Sequence, residues 1–67
     1  MVDTERLKKL RCSQGFFTAA SFARALGMKR ANYYNRENGR APFTAAEIVD
    51  VCRLLEISLD EGIRILI

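Results

Sequence analysis

The stretch "MKRANYYNRENGR", residues 28–40, gathers the side chains most able to act on a partner. It holds Lys29, Arg30, Arg36 and Arg40, three asparagines, two adjacent tyrosines and a single acid, Glu37. This is the chemistry of recognition rather than of bond-making. Cationic side chains neutralise phosphates, and arginine or asparagine can make two hydrogen bonds to one base edge. Elsewhere the chain offers little to a reaction. It has no histidine, and nothing suggests a serine or cysteine nucleophile with a base beside it. Its acids lie mostly on helix starts and solvent faces. An enzyme is therefore not expected, and neither a metal nor a cofactor is implied. Cys12 and Cys52 have no zinc-like spacing, and with no secretory signal in view they read as reduced thiols in or near a core.

Charge is distributed unevenly along the 67 residues. Residues 6–40 carry nine basic side chains against Glu37 alone, a net of +8, whereas residues 41–67 carry −3. The first part reads as a basic binding face and the second as having a different task. About half of the residues are hydrophobic, so a folded core is expected, although a chain this short buries only roughly 60% of its unfolded surface. No apolar run is long enough to cross a membrane, and a cytoplasmic protein with no membrane partner is expected.

Five short helices must position these groups, and no linker divides the chain. Gly15, Gly27, Gly39 and Pro42 punctuate it, and the apolar spacing between them is helical. Asp3 or Thr4 caps the first helix, with Leu7 and Leu10 on one face. Thr18 starts the second, whose stripe is Ala19, Phe22, Ala23 and Leu26, and Gly27 ends it. The third spans about Arg30 to Glu37, with Asn38-Gly39 as a left-handed stop. In "FTAAEI", Thr44 and Glu47 make a capping box, and Phe43 and Ile48 a hydrophobic staple. Ser58 and Glu61 repeat the box in "ISLDEGIRILI", with Leu59, Ile63 and Leu66 on one side. Only "IRILI" is β-branched enough to be extended at its end. One feature breaks the local rules: the third helix starts on Lys29 and Arg30, the wrong charges for a helix N-terminus.

"FARALGMKRANYYNRENGR" resembles the helix-turn-helix of the lambda-repressor-like (Cro/CI-type, XRE) family. Ala23 is the small residue of its first helix, Gly27 the turn glycine and Tyr33 the buried residue of its second helix. "ENG" closes the reading helix, and "AAEIVDVCRLLEISLDE" is similar to the fourth and fifth helices of the family. The resemblance implies an all-α, five-helix DNA-binding domain over residues 1–67, with the helix-turn-helix at about 18–38. It also implies that the rule-breaking start of the third helix faces phosphates.

By that resemblance, base contacts come from Lys29, Arg30, Ala31 and Asn35, with Asn32 or Tyr34 beside them, and Arg30 has the largest share of specificity. Phosphate contacts come from Thr18, Asn38 and Arg40. Arg11 pairs with Glu37 while presenting to a phosphate. Tyr33 points inward with its hydroxyl near the rim, and Tyr34 outward. A C-terminal helix at about 59–66 offers Leu59, Gly62, Ile63 and Leu66 to a two-fold interface, which implies a homodimer on a palindromic operator in double-stranded DNA.

Four positions depart from the family pattern. Phe16-Phe17 stands where one apolar residue is usual, which would shift the entry of the first helix. Ala19 replaces a frequent glutamine. Arg36 replaces an apolar residue, its stem over the core and its head toward solvent or phosphate. Glu56 stands where glycine is common. The leading expectation is a sequence-specific regulator, of phage Cro or repressor type, acting by operator occupancy in the bacterial cytoplasm or nucleoid. An antitoxin that represses its own operon, with a toxin partner, meets the same sequence requirements. A protein-interaction module without DNA binding is the third reading, disfavoured by the exposed basic tip. No small-molecule ligand is implied.

Overall fold

A computed structural model describes residues 1–67 as five helices and no strand. They are α1 (Thr4–Ser13), α2 (Ala19–Leu26), α3 (Arg30–Glu37), α4 (Ala45–Leu55) and α5 (Leu59–Leu66). None is long and apolar enough to cross a membrane. Helix α3 packs on α2, α2 on α4, α4 on α5, and α5 on α1. Leu7, Phe22, Ala23, Tyr33, Val51 and Leu55 are almost wholly buried at the centre. Four aromatic rings run through this core edge to face: Phe16 on Phe22 at 5.1 Å, Phe22 on Tyr33 at 5.3 Å, and Tyr33 on Phe43 at 6.4 Å. They tie the loop before α2, both helices of the turn, and the loop before α4 into one spine.

Local chemistry sets most helix ends. The Asp3 carboxylate accepts from the Arg6 amide, and the Thr18 hydroxyl from the Ser21 amide. Thr44 and Glu47 close the capping box, and Phe43 and Ile48 are both buried beside it. At α5 only half of the expected box forms. Ser58 accepts from the Glu61 amide at 3.1 Å, but the Glu61 carboxylate turns to Arg6 Nη2 at 3.2 Å, tying α5 to α1. Between α2 and α3 the chain turns through Gly27 at φ +74°, and the Met28 amide closes on the Ala23 carbonyl at 2.9 Å. A side chain at Gly27 would meet nothing within 4 Å, so glycine is needed for the angle and not for the space. After α3 the left-handed residue is Gly39, while Asn38 stays at φ −91°. Glu56 takes the same left-handed region at φ +57°, a strain of about 1–2 kcal/mol where glycine would have none.

The C-terminal segment differs from expectation. "IRILI" is helical up to Leu66 rather than extended. The inward face of α5 is Gly62, Ile65 and Leu66, and Leu59 and Ile63 point out. Gly62 lies so close to α4 that a methyl group there would overlap Cys52 Sγ. The close neighbour of Gly62 is thus α4 of its own chain. Gly62 and Leu66 are withdrawn from any partner, which corrects the four-residue interface expected from the sequence. Cys52 is buried, and burial pushes its thiol pKa up, with the Gly62 amide opposing; Cys12 is exposed on α1 and lies outside the core.

Candidate nucleic-acid interface

Four of the five helices begin with a side-chain acceptor on an early amide; α3 does not. Its N-cap is Lys29, which makes no capping hydrogen bond, and Arg30 follows at once. A missing cap costs about 1 kcal/mol, and a cation at a helix N-terminus roughly another 0.3–1 kcal/mol. The amides left unpaired there, together with two exposed cations, suit the approach of an anion.

Behind this start, α3 presents one side to solvent. Ala31, Asn32 and Tyr34 are exposed, and Asn35 is half-buried. Tyr34 is 51% exposed while Tyr33 is fully buried, so the adjacent tyrosines face opposite ways. Thr18, Asn38 and Arg40 are exposed as well. The Thr18 oxygen accepts from the Ser21 amide, which leaves its own proton free to donate. Asn38 is partly engaged at home, donating from Nδ2 to the Tyr34 carbonyl at 2.9 Å. Of the cations in this region, Lys29, Arg30 and Arg40 have no acidic partner, whereas Arg11 and Arg36 each have one.

Arg11 and Glu37 do pair, with Nε 3.2 Å from Oε1, but deep in the fold: the residues are 5% and 1% exposed. Arg11 Nη1 also donates to the Phe16 carbonyl at 2.8 Å. Burial leaves Arg11 little surface to offer a phosphate, which corrects the double role expected of it. It acts as a strut from α1 to the last turn of α3. The Tyr33 hydroxyl joins them, donating to the same Glu37 oxygen at 2.9 Å, so it lies inside rather than at the rim. Burial, and then the Glu37 charge, raise the Tyr33 pKa far above the usual phenol value, with Arg11 opposing. Thr4 adds a second tie from α1, donating to the Glu37 carbonyl at 2.8 Å.

Arg36 differs again from expectation. Its Nε lies 2.6 Å from Glu47 Oε1 and its Nη1 donates to the Asn32 carbonyl at 3.2 Å. The head is turned toward α4 and is not free for a phosphate. Burial disfavours the Glu47 carboxylate, but the Thr44 amide and Arg36 outweigh it and hold its pKa below the ordinary value. The two phenylalanines divide: Phe16 packs on Phe22, and Phe17 is 74% exposed just before Thr18. Ala19, at the position of the family's glutamine, is half-buried.

The fold and this face define a helix-turn-helix unit whose second helix stands out with an uncapped, cationic end. A family model described as a helix-turn-helix domain matches residues 4–62. The chain belongs to that family, and DNA binding is the activity this class of domain supports. Neither a curated protein nor a solved structure matches the chain.

Proposed function

We propose that the chain is a sequence-specific transcriptional regulator of phage Cro or repressor type, acting as a dimer by occupying a palindromic operator. The uncapped, doubly cationic start of α3 carries this reading. In the groove, Arg30 would meet the O6 and N7 of a guanine, Asn32 or Asn35 the N6 and N7 of an adenine, and Ala31 a thymine methyl. Lys29 and Tyr34 lie alongside on the same exposed helix. Thr18, Asn38 and Arg40 would position the duplex through its phosphates.

Dimerisation rests on what α5 leaves outside. Leu59 and Ile63 are 51% and 43% exposed one turn apart, and Ile67 is exposed beyond them. Asp60 and Arg64 flank this stripe with opposite charges and have no ion-pair partner in the monomer. A two-fold axis through the stripe would bring each aspartate toward the arginine of the other copy, as a self-complementary interface requires.

Titration with a random-sequence duplex over a salt series tests the electrostatic part. Lys29 and Arg40 from two chains would neutralise about four phosphates, giving a slope of log K on log salt of about −4. Affinity independent of salt would count against DNA as the partner. Sedimentation that shows only monomer at micromolar concentration, with and without DNA, would remove the dimer.

A further inference from the structure

The Arg36–Glu47 pair is left unused by the interface just described. Glu47 Oε1 accepts from two donors, the Thr44 amide at 2.9 Å and Arg36 Nε at 2.6 Å. The first bond closes the capping box of α4. The second comes from α3, and the same guanidinium reaches back to the Asn32 carbonyl on the reading helix. One carboxylate oxygen therefore joins the start of α4 to the last turn of α3. Arg40 lies on the loop that these two anchors enclose, and Phe43, at the far end of that loop, packs on Tyr33.

We propose that Arg36 and Glu47 form a latch that fixes how α3 stands relative to the Arg40 loop, and thereby sets sequence selectivity rather than general affinity for DNA. Both are positioning residues. Base readout needs side chains held in register with the groove, whereas non-specific binding needs only cations near phosphates. Arginine suits the task because its rigid fork can serve Glu47 and the Asn32 carbonyl together; a lysine ammonium is a flexible point charge. The inference rests on the DNA-binding reading.

The test compares Arg36→Met, Glu47→Gln, the double variant and Arg36→Lys. Each is titrated on the wild-type protein's preferred duplex and on a random-sequence duplex at the same salt, and its melting temperature is recorded. The two single variants change net charge in opposite directions. A purely electrostatic effect would make Arg36→Met weaker and Glu47→Gln tighter on both duplexes, leaving the ratio of affinities constant. Glutamine still serves a capping box, so Glu47→Gln leaves the α4 start closed. The latch predicts that Arg36→Met loses about tenfold in that ratio, that Glu47→Gln, which keeps the accepting oxygen but not its charge, loses less but in the same direction, that the double variant is no worse than Arg36→Met, and that Arg36→Lys falls between Arg36→Met and the wild type. Single variants that stay folded and keep the wild-type ratio overturn the latch alone. A wild-type protein with no preferred duplex overturns the regulatory reading and the latch together.

Discussion

Replacing Lys29 with serine should stabilise the fold and damage the function together. Lys29 already has the backbone geometry of an N-cap, at φ −65° and ψ 139°, but offers no acceptor. Serine would supply one, worth about 1 kcal/mol, and would remove a cation from the helix N-terminus, worth roughly a further 0.3–1 kcal/mol. The gain is then about 1–2 kcal/mol. In a domain of this size each kcal/mol raises the melting temperature by about 4–8 °C, so a rise of about 4–16 °C is expected by circular dichroism. The same change removes one phosphate-directed charge per chain. Affinity for DNA should fall, and the salt slope should flatten by about 1 per chain. An unchanged melting temperature would mean that the α3 start is not frustrated. Stabilisation with unchanged affinity and slope would mean that Lys29 does not face the duplex. Either result would refute the idea that α3 sacrifices stability at a working end.

Further substitutions probe three places in the interior. Glu37→Leu strands the Arg11 guanidinium and the Tyr33 hydroxyl in a buried site, so it should cost about 3–5 kcal/mol in urea denaturation; adding Arg11→Met should recover much of it, and a cost below about 1 kcal/mol would place the pair in solvent. Gly62→Ala should destabilise by about 1–3 kcal/mol despite the better helix propensity of alanine, and Cys52→Ala in the same chain should relieve the overlap, as read by thermal melts. Because the folded pKa of Tyr33 is raised, its contribution is fully present below the unfolded phenol value near 10 and is lost as pH rises above it. Urea midpoints should therefore drop above about pH 10, by about 1.4 kcal/mol per pH unit for this group, and Tyr33→Phe should remove that slope.

What the sequence made legible was mostly local. Thr44 and Glu47 stand three residues apart, and their bonds depend on almost nothing else. Gly27 shows the same economy, since one dihedral angle explains it. Helix α5 was harder because apolar residues surround it: Leu59, Ile63, Ile65, Leu66 and Ile67 cannot all face inward, and packing on α4 selects the inner set. Gly62 looked like a contact point for a second copy because nothing in the sequence reveals that Cys52 lies across from it. Arg36 and Glu47 are eleven positions apart on different helices, a pairing outside the reach of helical periodicity. The pairing of Arg11 with Glu37 was reached through family resemblance. Its depth, and the Tyr33 hydroxyl within it, came only with the structure.

On the proposed function, the exposed face of α3 reads DNA sequence. Selection of bound duplexes from a random library, followed by sequencing, tests it most directly. An enriched motif with two inverted halves about one helical turn apart is expected, lost when Arg30→Ala replaces the wild-type protein. Bound duplexes with no common sequence, or the same motif recovered by Arg30→Ala, would contradict it.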